Sequence, residues 1–238
     1  MDQPRTFAAH LEELRRRLGI SLLALLVGVG ISLTQAGRII QWLQRPVAGL
    51  VPRFAYFTPT EPLLAYLNVA MLGGCVLAMP IMLAQLWAFL QAGLTTRERT
   101  LGLALICWGS LLFMAGVAFA YALLLPVSLR VLLGIGSTFM QPMISIDRYL
   151  SFVTSLVLSC GIVFELPVVI VALAKVGIVT PEWLRQQRPY AILILAIVAA
   201  VVTPTTDPIN MLLLMAPLAV LYELSIWIAR FVVPRSTP

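Results

Sequence analysis

The feature that most constrains this 238-residue chain is a series of six long runs almost free of Asp, Glu, Lys and Arg. They cover 18–37, 62–96, 100–129, 149–174, 189–206 and 208–229; the fourth is broken only by Glu165 and the sixth only by Glu223. A helix that crosses a bilayer needs about 20 apolar residues, because it rises ~1.5 Å per residue through a hydrocarbon core ~30 Å thick. The runs are continuous rather than alternating, which argues against spanning strands. They predict an all-α integral membrane protein with six transmembrane helices, over about 18–36, 66–90, 101–125, 150–174, 190–203 and 209–229. Composition agrees. Hydrophobic types make up 61% of the chain and charged types 11%, against roughly 25% charged in a soluble domain. A soluble enzyme, a disulfide scaffold and a disordered regulator are excluded.

Six crossings bring the chain back to its starting side. The segments expected there, 1–17, 91–100, 175–189 and 230–238, carry eleven Lys and Arg; the opposite loops carry five, Arg38, Arg45, Arg53, Arg130 and Arg148. Positive charge marks the cytoplasmic side, so both termini are expected in the cytoplasm. Topology then explains the net charge of +6, and no nucleic-acid partner is needed. The first run is long and no small-residue cleavage site follows it, unlike a cleaved signal peptide. No internal repeat is visible, and 1–238 reads as a single membrane domain. The outer loops, about 37–65 and 126–149, are long, and Pro46, Pro52, Pro59 and Pro62 fix local turns in the first. A structured extracytoplasmic loop cap is expected. Between Pro189 and Pro204 only about 14 residues can be helical, ~21 Å. That shortfall implies either a local thinning of the bilayer or shelter by neighbouring helices.

Catalytic chemistry is hard to assemble. His10 is the sole histidine and precedes the first span. No aspartate pair lies within the spans. Cys75, Cys107 and Cys160 fall in three different spans without metal spacing, as small apolar packers do. Gly134-Ile135-Gly136-Ser137 reads as an outer-loop turn rather than a phosphate loop. No catalytic residue, cofactor or metal is expected.

The acids that remain are informative. Glu165 lies well inside the fourth span, followed by Pro167. An ionised carboxyl in lipid costs on the order of 2.5 kcal/mol or more, and an intramembrane ionisable group is a functional candidate by default. Its alternatives are a contact with a partner chain, or a bond to Gln85, a serine or a carbonyl freed by Pro167. Before the first span, Leu11, Leu14 and Leu18 form a helical stripe suited to the membrane surface. Glu12–Arg16 and Glu13–Arg17 are i,i+4 pairs, whose plain role is helix support at ~0.2–0.5 kcal/mol each. Glu98 sits between Arg97 and Arg99. These acids are retained on a face that topology otherwise makes basic.

Several spaced groups, in this order, resemble one known family. His10-Leu11 with Glu13-Leu14-Arg15, Arg17 and Leu18 precede the first span. Pro59, Glu61, Pro62, Tyr66 and Leu67 open the second, and Ala78, Pro80, Gln85, Trp87 and Phe89 close it. Gly93, Leu94, Glu98 and Arg99 follow; then come Phe164, Glu165, Pro167 and Val168; then Arg188 and Tyr190. Thr203, Pro204, Asp207 and Pro208, and Pro217, Leu218, Leu221, Tyr222 and Glu223, complete the set. Together they resemble the TatC family, the polytopic subunit of the twin-arginine protein translocase, from about residue 9 to 230. Two positions depart from the family pattern: Ala92 where many relatives have Pro, and Met211, beside Asn210, where many have Gln.

The resemblance implies a receptor for signal peptides bearing two adjacent arginines, at the cytoplasmic face of the cell inner membrane or a thylakoid-like one. It implies assembly with single-span TatA- and TatB-type subunits, and with further copies of itself, to export folded proteins using the protonmotive force. It assigns signal-peptide binding to Glu13, Glu98 and Phe89, with Glu12 as an adjacent acid, and partner contact to Glu165. Pro46 and Asp207 are implied as structural or functional loop positions. Carboxylates accept an arginine's planar fork bidentately, which suits this assignment. The rival reading is a proton-coupled small-solute transporter using Glu165, with broken helices at a midplane site; six spans, no inverted repeat and one buried acid equip it sparsely.

Overall fold

The computed structural model describes residues 7–47, 54–90, 102–134, 143–203 and 208–232. Helix α1 (Phe7–Gln44) ends in a 3-10 turn, Arg45–Val47. It is followed by α2 (Glu61–Leu90), α3 (Gly102–Phe119), a π-turn (Ala120–Leu124) and α4 (Leu125–Gly134). Then come α5 (Ile146–Phe164), α6 (Leu166–Lys175), the short α7 (Pro181–Gln186), α8 (Arg188–Val202) and α9 (Pro208–Val232). Five helical segments are long and apolar enough to cross a membrane; α8 is the short apolar sixth. This is a multi-pass membrane architecture, and the helices fall on the six expected spans.

The boundaries differ from expectation in instructive ways. The surface stripe and the first span are one unbroken 38-residue helix, since no proline stands between Phe7 and Gln44 to break it. The segment 126–134, expected within a loop, is helical. Pro126 lacks an N–H and would clash with the turn before it, and the π-turn just upstream widens the helix there; the Leu125 N–H bonds to Ala120 O, so α3 and α4 run on as one segment. The fourth span divides at Glu165, where Pro167 stands in the first turn of α6.

Helix α1 packs antiparallel on α2. The approach is close enough to require glycine: a Cβ on Gly74 would lie 2.7 Å from Val29 N, and one on Gly28 would lie 2.8 Å from Gly74 O. Helix α2 also contacts α3 and α5, while α9 packs on α6 and α8. The buried core runs through the middle of α5, with Leu150, Val153, Leu156, Val157 and Cys160. Of the other cysteines, Cys75 is partly buried and Cys107 exposed.

Among the described residues, the outer loops are tied to each other and to the bundle. A parallel bridge joins Ala55 and Ser145, through Ala55 N–H to Ile144 O (3.1 Å) and Ile146 N–H to Ala55 O (3.0 Å). Ser145 Oγ donates to Glu61 Oε2 (2.7 Å), which also accepts from Phe57 N–H (3.2 Å). Asn68 Nδ2 donates to Asp147 Oδ1 (3.2 Å) and to Ser151 Oγ (2.9 Å). Pro46 lies partly buried in the 3-10 turn, beside buried Val47. Tyr149 donates to Leu43 O (2.6 Å), which fastens the end of α1 to α5. Asp207 lies outside the described residues.

Candidate functional site

Two acid-bearing regions emerge, at one end of the α1–α2 pair and beside it in the bundle. At the first, Arg17 donates to Glu13 Oε1 through Nη2 (2.6 Å) and Nε (3.2 Å), and its Nη1 reaches Gln85 Oε1 on α2 (3.4 Å). The i,i+4 spacing stacks Glu13 and Arg17 on one face of α1. Gln85 and Phe89 share a face of α2 for the same reason. The antiparallel register set by Gly28 against Gly74 and Arg17 against Gln85 places Glu13 level with Phe89. Glu13 and Phe89 are both partly buried, and Glu12 is exposed, turned about 100° around the helix. The pairing expected between Glu12 and Arg16 is absent among the described residues: both side chains are exposed, and an exposed pair returns little for the side-chain entropy it costs. Glu98 lies outside the described residues.

The second region is built around Glu165. The residue is only 6% exposed, at the break between α5 and α6, and among the described residues neither carboxyl oxygen has a hydrogen-bond partner. The expected alternatives of Gln85 or a serine are not taken up; Gln85 turns to Arg17 instead. Nor does a carbonyl freed by Pro167 accept from it. Space for the carboxyl comes from Gly109 on α3, where a Cβ would lie 2.9 Å from Glu165 Oε2 and 2.8 Å from Leu83 Cδ1. Glu165 faces a cavity of about 430 Å³ that Leu83, Trp87, Ile106, Val168 and Ala172 help to line. Trp87 helps to line the cavity, while its Nε1, packed against Gly102 on α3, is buried and also unpartnered among the described residues.

Burying unpaired polar groups costs about 1–3 kcal/mol each. The Glu165 carboxyl on this apolar cavity is therefore a place that a polar group from outside this chain would stabilise. Leu83 contacts the Glu165 rung and Phe89 follows it by six residues, ~9 Å along α2. The two regions thus lie toward the same end of α2, on faces about 120° apart.

Sequence reasoning singled out Glu13, Phe89 and Glu165. It gave Arg17 a helix-supporting role only, and it did not single out Gly109 or the indole of Trp87. The i,i+4 spacing of Gln85 and Phe89 was the available signal for Gln85. Nothing local signals Gly109, whose role depends on α3 meeting the α5–α6 break. Among the described residues no group of three His, Cys, Asp or Glu side chains gathers in a way that could hold a metal.

Comparison with known proteins bears on the same regions. The family pattern described as Sec-independent protein translocase protein (TatC) matches residues 9–217. The Sec-independent protein translocase protein TatC of Carboxydothermus hydrogenoformans is 40% identical over 98% of this chain and 96% of its own length. That of Aquifex aeolicus is 39% identical over 93% of each. A crystal structure of the twin arginine translocase receptor TatC superposes with a TM-score of 0.80 at 37% identity, covering 94% of this chain and 99% of the other.

Proposed function

This chain belongs to the TatC family of Sec-independent protein translocase proteins, and we propose that its work is divided between the two acid-bearing regions. It is a multi-pass membrane subunit of protein translocation. In the proposed division, the end of the α1–α2 pair receives the arginine pair of a signal peptide, with Glu13 and Glu98 as guanidinium acceptors and Phe89 against the peptide's apolar part. Glu12 adds exposed negative charge beside them. The Glu165 cavity receives a TatA- or TatB-type single-span subunit. The receptor role is the one named for the similar crystal structures.

The observation that carries the reading is the level placement of Glu13 and Phe89, held by the Arg17–Gln85 bridge. It sets a carboxylate level with an aromatic residue at the end of the α1–α2 pair that the basic segments of the sequence adjoin, as suits a ligand with paired arginines and an apolar segment. Charge places this end in the cytoplasm, with more basic residues on its side than on the other. No nucleotide motif supplies energy, and the family implies the protonmotive force. The Glu165 cavity supports partner binding through a carboxyl that has no partner among the described residues. Pro46 and Asp207 act in the cap, and the assembly holds more than one copy of the chain.

Binding of a labelled Arg-Arg signal peptide to the purified protein tests this reading. Glu98→Ala and Glu13→Ala should each weaken binding about tenfold or more, as expected for a lost charge-assisted bidentate contact, while both variants still insert and elute as single species. Replacing the peptide's arginines by Lys-Lys should have the same effect on wild-type protein. Equal binding of the Arg-Arg and Lys-Lys peptides overturns the proposal.

A further inference from the structure

A third site lies at the cap end of the bundle, away from both regions above. Between α1, α2, α3 and α5 is an apolar groove of about 350 Å³, lined by Leu72, Val76, Met114 and Val117 among others, with a single charged residue, Arg38, in its wall. Trp42 and Tyr121 also line it. They stack with ring centroids 3.9 Å apart, and Tyr121 donates to Trp42 O (2.8 Å).

Among the described residues Arg38 has no carboxylate partner; it takes no part in the Arg17–Glu13 or the Arg188–Glu223 ion pair. Its depth is set by the chain itself. The uncharged run from 18 to 37 spans about 30 Å as helix, the thickness of the hydrocarbon core. Arg38 therefore emerges at the level of the lipid phosphates. The Trp42–Tyr121 pair begins one turn further out, where aromatic belts meet the headgroups.

We propose that this groove is a phospholipid site: one acyl chain lies along Leu72, Val76 and Val117, and the phosphate is held by the Arg38 guanidinium. Charge complementarity selects the occupant. An apolar slot with one unpaired cation at its interfacial mouth matches a molecule with a long apolar chain and one anionic phosphate. An uncharged partner helix would leave Arg38 unanswered. Arginine supplies parallel N–H donors to phosphate oxygens, and Arg38 can do this without breaking any side-chain bond among the described residues. Any groove facing lipid is filled by hydrocarbon; the proposal is that this one retains its lipid through the headgroup.

Native mass spectrometry of the detergent-purified protein, reloaded with dioleoyl phosphatidylglycerol, tests the site. Wild type should retain one lipid through delipidation. Arg38→Gln should retain about tenfold less, Arg38→Lys an intermediate amount, and Val76→Trp, which fills the groove with the cation intact, close to none. Arg130→Gln, an exposed cap-side arginine outside the groove, should behave as wild type. Dioleoylglycerol, with the same chains and no phosphate, should be lost from wild type. Equal retention by Arg38→Gln and wild type overturns the proposal, as does dioleoylglycerol bound as firmly as the phospholipid. A photo-crosslinker at Met114 in native membranes should label lipid; a protein adduct in its place would show that another chain occupies the groove and would also overturn it.

Discussion

Arg17 places two N–H donors on a single oxygen of Glu13, at 2.6 and 3.2 Å, and so turns that carboxylate toward α2. The third nitrogen of the same guanidinium bridges to Gln85 at 3.4 Å. One side chain thereby orients the acid and ties the two helices together at the end where Phe89 lies. Side chains this far out on a helix would otherwise sample many rotamers.

Arg17 is accordingly a positioning residue for the proposed receptor site. Arg17→Lys keeps the charge but loses the fork, and should weaken Arg-Arg peptide binding about fivefold, near 1 kcal/mol. Gln85→Ala should weaken it by a smaller factor. In a double-mutant cycle the two should be non-additive, since both act through one bridge. Strict additivity of the peptide affinities would show that Arg17 does not work through Gln85.

Glu165 makes a prediction opposite to that for most buried residues. Its carboxyl is unpaired among the described residues, so Glu165→Leu, of similar volume, should be at least as thermostable as wild type in detergent. Copurification of single-span subunits should nevertheless fall about tenfold or more, with Arg-Arg peptide binding unchanged. A large loss of thermal stability would place the partner of Glu165 within this chain.

Gly109 leaves the space that the Glu165 carboxyl occupies. Gly109→Val should therefore reproduce the partner loss of Glu165→Leu by displacing the acid, and again spare peptide binding. Gly109→Ala should have a weaker effect, because the atoms it meets, Leu83 Cδ1 and Glu165 Oε2, are ends of flexible side chains that can shift. Undiminished copurification of partners with Gly109→Val would separate the glycine from the function of Glu165.

At the opposite end, Ser145→Ala removes the donor to Glu61 that ties the two outer loops together. The expected cost is about 1 kcal/mol, or roughly 2–4 °C in Tm for a chain of this size. Peptide affinity should not change, since the cap lies at the other end of α2. A change in affinity without a change in Tm would contradict a purely structural role for the cap.

The spans were legible because lipid leaves the backbone few choices, and uncharged runs of this length have no other stable fate. The break at Glu165 could be read from Pro167, and the shortness of α8 from Pro189 and Pro204. The Glu13–Arg17 pair was legible from i,i+4 spacing. Its link to Gln85 was not, because that contact depends on the crossing set by Gly28 and Gly74, far from it in sequence. The π-turn before Pro126 was missed for a local reason: a proline within an apolar helix can kink it, end it or widen it, and packing decides which. Gly109 acquires meaning only when the α5–α6 break is brought against α3, and Arg38 only when α2, α3 and α5 close a groove beside α1.

The central claim is that paired arginines dock beside Phe89 and Glu13 from the cytoplasm. The most direct measurement places a photo-crosslinker at position 89 and adds a labelled signal peptide to sealed vesicles of known orientation. The account predicts an adduct when the peptide meets the cytoplasmic face, lost when its Arg-Arg becomes Lys-Lys. An adduct formed only from the opposite face, or formed equally by both peptides, would contradict it.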